Sequence, residues 1–193
     1  MGKSTLGRLF CRFGLPVIDT DEIARRAVEP GEPAFDDVVA AFGPSVRQSD
    51  GRLDRAALAR IVFSDAERRG TLESILHPRI RAAWQNDLEA IGRQGVRAGV
   101  VSIPLLHETD ASSCFDYVIC VSCTPETQYE RLKERGWSKG EIEARLKAQW
   151  ASTKKVEASD YLVWTDVSLG MVESQLHLVL ESIWKRAAQG VCF

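Results

Sequence analysis

With 193 residues, 45% of them hydrophobic, the chain is long enough for one domain, or a domain with an insert, around a real core, which excludes a short peptide module and a disordered segment. Lys and Arg number 25 against 27 Asp and Glu, a formal net charge of -2, so no overall field draws the chain to nucleic acid or to an anionic membrane, and any anion site is local. The longest apolar runs, around Val96–Leu106 and Tyr117–Val121, fall short of the roughly 20 residues that span a bilayer, and no apolar signal segment follows Met1. Five cysteines without framework spacing fit a reducing compartment, so the expected location is the cytoplasm.

In chain order, Leu6, Leu9 and Phe10 fall at helical spacing behind Gly2-Lys3-Ser4-Thr5, and Gly14 closes this first helix. Leu15-Pro16-Val17-Ile18-Asp19-Thr20-Asp21 reads as a short strand ending in two carboxylates, with a helix over 22–28 behind it. Glu29-Pro30-Gly31-Glu32-Pro33 breaks that helix. From Ala34 to Ala90 the pattern is almost wholly helical, with turns at Gly43-Pro44 and Asp50-Gly51. The runs 99–106 and 117–121 are nearly continuous apolar stretches, as strands covered on both faces of a parallel sheet are. Thr124 then caps a helix with Pro125 at its first position, a second helix is expected from Lys139 to about Lys155, a strand at 161–164, and a last amphipathic helix over 172–188. Strands and helices alternate, so the class is α/β with a parallel sheet flanked by helices.

Gly2-Lys3-Ser4 opening a helix is the second half of the phosphate-binding loop Gly-x-x-x-x-Gly-Lys-[Ser/Thr], in which amides and the helix N-terminus cradle phosphate, the lysine neutralises it and the hydroxyl holds Mg²⁺. The first glycine of the motif would stand five residues before Gly2. The 193 residues hold neither the first half of the loop nor the strand before it, and the two alternatives are an internal methionine at Met1 and a genuine start there. Two carboxylates at the end of the next strand stand where open α/β sheets place their ligands, and together these features point to a nucleotide-dependent phosphoryl transferase.

From Met1 to about Leu180 the chain resembles the dephospho-coenzyme A kinase family. The resemblance is carried by Gly2–Thr5, Ile18-Asp19-Thr20-Asp21, Ala24-Arg25, Val28-Glu29-Pro30-Gly31, Phe42-Gly43, Asp50-Gly51, Leu53-Asp54-Arg55 and Phe63. It continues through Leu72-Glu73-Ser74-Ile75-Leu76-His77-Pro78-Arg79-Ile80, the most diagnostic phrase, then Pro104-Leu105-Leu106-His107-Glu108, Gln128, Arg131, Arg135, Arg145 and Gln149. One segment departs: Trp164-Thr165-Asp166 stands where the family usually has Asn-Asn-Gly. The resemblance implies a P-loop kinase domain over 1–193 with a helical substrate-binding insert near 31–92 and a lid near 126–155. It also implies transfer of the γ-phosphoryl of ATP, with Mg²⁺, to the ribose 3′-hydroxyl of dephospho-coenzyme A, the final step of coenzyme A synthesis. Gly2, Lys3, Ser4 and Thr5 would hold the nucleotide and Ser4 the metal. Lys3, Asp21 as base and Arg135 would be catalytic, and Asp19, Arg25, His77, Pro78 and Arg145 would bind the acceptor. The alternatives are a catalytically impaired coenzyme A-binding paralogue and a kinase of another small hydroxyl substrate.

Several of these residues have plainer readings. Asp19 and Asp21 could be solvated strand-end acids capping the next helix. His77-Pro78 could end one helix and begin another. Arg131, Arg135 and Arg145 share their helices with Glu130, Glu134 and Glu141, as an ion-paired solvent face would. Cys120 and Cys123 read as core packing, His177 as a packed or surface residue, and Trp84, Trp150 and Trp184 as core or interface anchors; His107 is open.

Overall fold

The computed structural model describes residues 1–190; positions 191–193, Cys192 and the end of the 1–193 domain reading among them, lie outside the described residues. The chain divides into two compact units, one of residues 13–104 and one of residues 1–12 with 105–193.

The unit over 13–104 is built on a parallel strand pair, β1 (Val17–Asp19) and β2 (Val100–Ser102), with Ile18 opposite Val101. Helix α2 (Thr20–Arg26) starts directly at the end of β1, because the Asp19 carboxylate accepts the Asp21 N–H at 2.9 Å and so caps the first turn. Thr20, buried, donates its hydroxyl to the Ser102 carbonyl at 2.9 Å and ties the two strand ends together. Helices α3 (Pro33–Phe42), α4 (Arg55–Ser64) and α5 (Ala66–Arg93) follow. Pro33 opens α3, where its missing N–H costs nothing, while Asp54 and Asp65 cap α4 and α5 through the N–H groups of Ala57 and of Glu67 and Arg68. Phe35, Val38 and Phe42 recur at helical spacing on α3 and meet Leu58 and Val62 of α4, together with Val28, Val46 and Leu53, in one buried core onto which Leu72 and Ile75 of α5 pack.

In the other unit, α1 (Lys3–Arg12) buries Leu6, Leu9 and Phe10. A second parallel pair joins β3 (Ile119–Ser122) to β4 (Tyr161–Trp164), with Val121 opposite Val163. Between them run α6 (Pro125–Lys133), α7 (Lys139–Lys147) and α8 (Ser152–Glu157), and α9 (Leu169–Ala188) covers β4 with Val172, Leu176, Val179, Leu180 and Ile183 buried. Both strand pairs are parallel and carry helices, in keeping with the α/β expectation.

Three local expectations are corrected. The helix expected from Lys139 to about Lys155 is two helices, interrupted at 148–151, where the Trp150 N–H turns away to donate to the Glu108 carboxylate at 2.8 Å. The apolar run 99–106 yields a strand of three residues only, because Pro104 cannot donate to a ladder and turns follow it, with Thr109 bonded to Leu105 and Asp110 at φ 50°. His77-Pro78 is no helix junction: both lie inside the unbroken 28-residue α5.

Candidate active site

The residues expected to bind phosphate stand at the first turn of α1. Gly2 has φ 81°, a conformation that favours glycine, and its carbonyl accepts the Leu6 N–H at 3.0 Å. The N–H groups of Lys3, Ser4 and Thr5 begin the helix, and groups in that position have no intrahelical acceptor, so they present partial positive charge to an anion. No acidic residue occupies this first turn to compete for them. Ser4 is exposed, whereas Lys3 and Thr5 are half-buried.

Behind this turn lies a network on Arg131 and the Trp164-Thr165-Asp166 segment, whose long-range bonds no local pattern in the sequence marks. Thr165, 6% exposed, has its hydroxyl 3.0 Å from the Ser122 carbonyl and 3.3 Å from the Met1 carbonyl. Arg131 donates to the same hydroxyl and to the Thr165 carbonyl, each at 2.8 Å. Asp166 accepts the Thr124 N–H at 2.6 Å and lies 3.9 Å from Arg131. Burial pushes the Asp166 carboxyl up, but the Thr124 amide and hydroxyl, Thr127 and the Arg131 charge outweigh it and hold it below its ordinary range. Arg131 is therefore braced inside its unit by Thr165 and Asp166.

Arg135 follows α6 in the turn before Gly136, exposed to solvent. Arg145, in the last turn of α7, lays its guanidinium over the Trp137 ring at 3.9 Å from the centroid. In the same unit the buried ammonium of Lys155 meets Glu108 at 2.8 Å, with side-chain exposures of 10% and 14%. Burial raises the Glu108 carboxyl, yet the Lys155 ammonium and the amides of Trp150 and Glu108 prevail and keep it below the usual range. His107 stacks on Trp150 at 5.3 Å between ring centroids, and the Lys154 ammonium lies 3.5 Å from the centroid of the same Trp150 ring, which is half-buried. Trp84 is buried within α5, and His177 pairs with Glu181 on an exposed face.

Of the residues expected to bind the acceptor, Asp19, Arg25, His77 and Pro78 belong to the 13–104 unit, as does Asp21, whereas Arg145 lies in the other. Asp19 serves as the cap of α2, and Asp21 is exposed in the first turn of that helix, one turn before Arg25. Arg55 of α4 holds the Arg25 carbonyl at 2.9 Å and leaves the Arg25 side chain exposed. His77 is half-buried on α5, next to the exposed Pro78. The structure thus groups Asp19, Asp21 and Arg25 on one strand-to-helix junction. Gly2, Lys3, Ser4 and Thr5 stand together at the start of α1, in the unit that also carries Arg135 and Arg145.

Among the described residues no three His, Cys, Asp or Glu side chains gather as a metal cage, and Cys11, Cys114, Cys120 and Cys123 are free thiols. Burial raises the Cys120 thiol, with Lys155 opposing, which suits a packed cysteine better than a reactive one.

A family model described as dephospho-CoA kinase matches residues 1–170. A dephospho-CoA kinase of Geobacillus kaustophilus is 40% identical over 181 residues, 93% of this chain and 90% of that protein. The crystal structure of TT1252 from Thermus thermophilus superimposes with a TM-score of 0.76 at 33% identity, covering 94% of this chain and 91% of that one. The dephospho-CoA kinase from Campylobacter jejuni does so at 0.68 and 25% identity, covering 95% and 92%. By its sequence along nearly its whole length, and by its fold, the chain belongs to the dephospho-CoA kinase family.

Proposed function

We propose that the chain transfers the γ-phosphoryl group of ATP to the ribose 3′-hydroxyl of dephospho-CoA, using the first turn of α1 as its phosphate cradle. The observation that carries this reading is Gly2-Lys3-Ser4-Thr5 at the start of α1, in a chain matched to the family from residue 1 to residue 170. Nothing in the comparisons favours a silent coenzyme A-binding protein or a kinase of another hydroxyl substrate.

In this reading the Lys3 ammonium and the amides of Lys3, Ser4 and Thr5 neutralise the β and γ phosphates. Mg²⁺ ordinarily keeps several waters and takes only one or two protein oxygens beside substrate phosphates, so the exposed Ser4 hydroxyl suits it and a cage of acids is not needed. When bound, the ion would neutralise charge on the β and γ phosphates. Asp21 accepts the proton of the attacking hydroxyl, its carboxylate being exposed while the neighbouring Asp19 is engaged as a cap. Asp19, Arg25, His77, Pro78 and Arg145 bind the acceptor, and Arg135 stabilises charge that develops on the transferred group. Residues 31–92 serve as the substrate-binding arm and 126–155 as the lid of one kinase domain. Four free thiols and the lack, among the described residues, of a helix long and apolar enough to cross a membrane support a cytoplasmic enzyme.

The test is turnover of the purified chain with ATP and Mg²⁺, scored by ADP release and by the mass of the product, with dephospho-CoA, adenosine and shikimate offered as acceptors. Strong preference for dephospho-CoA is expected. Equal use of the smaller acceptors, or no product with any, overturns the reading.

A further inference from the structure

The segment after β4 departs from the family's usual Asn-Asn-Gly, and its threonine is bonded to the start of the phosphate cradle. The Thr165 hydroxyl has one proton, shared between the Ser122 carbonyl at 3.0 Å and the Met1 carbonyl at 3.3 Å, and its oxygen accepts from Arg131 at 2.8 Å. Its methyl group sets a second constraint. A Cβ placed on Gly2 would lie 3.2 Å from Thr165 Cγ2, tighter than ordinary van der Waals contact, so Gly2 and Thr165 fit each other closely. Arg131 grips the Thr165 carbonyl as well, and Asp166 fixes the next residue to the amide that opens α6. The end of β3, the loop after β4, α6 and the peptide that leads into α1 therefore meet at one buried side chain.

We propose that Thr165 is a positioning residue of the nucleotide site: by holding the Met1–Gly2 peptide it aims the first amides of α1 at the phosphates of ATP. The inference rests on the reading of Gly2–Thr5 as the phosphate cradle. Hydrogen bonds from amides to phosphate oxygens weaken steeply with misalignment, so a small rotation of this peptide affects several of them together. The loss falls on the nucleotide, because the peptide that Thr165 holds leads into Gly2–Thr5 alone.

The experiment compares the whole chain with Thr165→Val, which keeps the shape and removes the hydroxyl, and Thr165→Ser, which keeps the hydroxyl. KM is measured separately for ATP and for dephospho-CoA, and ATP binding is measured by calorimetry. Thr165→Val is expected to raise KM and Kd for ATP about tenfold while leaving KM for dephospho-CoA within about twofold, and Thr165→Ser to return the ATP values to within about threefold of the parent. Where Thr165→Val loses cooperative unfolding, Thr165→Ala is read for the same split. Unchanged ATP affinity in the hydroxyl-less variants overturns the inference alone, as does an equal rise in both KM values that serine does not relieve. Failure of the parent chain to bind ATP overturns the reading of Gly2–Thr5 and the inference with it.

Discussion

Asp19 and Asp21 stand two residues apart at the end of β1, yet their surroundings assign them different work. Asp19 spends an oxygen on the Asp21 amide and starts α2, so Asp19→Ala is expected to cost about 1 kcal/mol, whereas Asn, an equally good cap, should leave stability nearly unchanged. Asp21→Asn is expected to lower kcat by roughly 10²–10⁴ without moving the thermal midpoint, because its exposed side chain is not the cap. Kinetics and a thermal melt on the two variants check this, and turnover of Asp21→Asn within about threefold of the parent would remove Asp21 as the base. The Glu108–Lys155 pair makes a second case. Lys155→Met strands a buried carboxylate and is expected to destabilise the chain by about 3 kcal/mol near neutral pH. In the parent, Glu108 is held below its unfolded value, so its contribution is present above that value and is lost as pH falls through the folded one. In the variant the carboxyl no longer has its cation. The gap in thermal midpoint between parent and Lys155→Met should therefore narrow as pH falls through the carboxylate range, and a gap independent of pH would contradict the assignment.

Among the elements, α5 carries its most unusual residue well inside its 28 residues. Pro78 has no N–H for the Ser74 carbonyl, and a proline in a helix interior is less favourable than alanine by about 3 kcal/mol. Arg79, one residue on, braces the same stretch: its guanidinium donates to the Ile75 carbonyl at 2.6 Å and pairs with Asp37 of α3. Under the proposed acceptor-binding role of His77 and Pro78, this breaker shapes the helix for a ligand at a cost in stability. Pro78→Ala is accordingly expected to raise the melting midpoint by a few degrees, on the order of 1 kcal/mol, and to raise KM for dephospho-CoA with ATP little affected. An unchanged KM would leave the proline with a purely structural role. The break between α7 and α8 has the opposite origin, since local pattern favours helix through 148–151 and a distant carboxylate takes the Trp150 amide instead.

For the molecule as a whole, a net charge of -2 means that anion recognition has to come from local devices: helix N-termini, one lysine and a few arginines. Binding to such a site stabilises the folded state by mass action. At about 100 times Kd, Mg²⁺ and ATP together are expected to contribute about 2.7 kcal/mol, which for a chain of this size raises the melting midpoint by roughly 5–10 °C. Differential scanning fluorimetry with and without nucleotide measures it, and Lys3→Ala should abolish most of the shift. A midpoint that ignores ATP in the parent would contradict the phosphate cradle.

Short-range order in the chain was enough for the α/β class, the helix that begins at Lys3, the cap at Thr124 with Pro125 at the first helical position, and the carboxylates at the end of β1. Each depends on residues within one or two turns of one another, where periodicity and capping chemistry act. Family membership was legible for a related reason, since its phrases, such as Leu72–Ile80, are contiguous in the chain. The tertiary structure alone decided what joins distant positions: Thr165 to Met1 across 164 residues, Trp150 to Glu108 and Thr124 to Asp166 across 42, and Arg131 to Thr165 across 34. Thr165 carries no local signal, because a threonine after a strand has the same propensity whether its hydroxyl meets water or three partners within the protein. Which of these occurs is set by the packing of β3, β4, α1 and α6 around it, and packing depends on all four elements together.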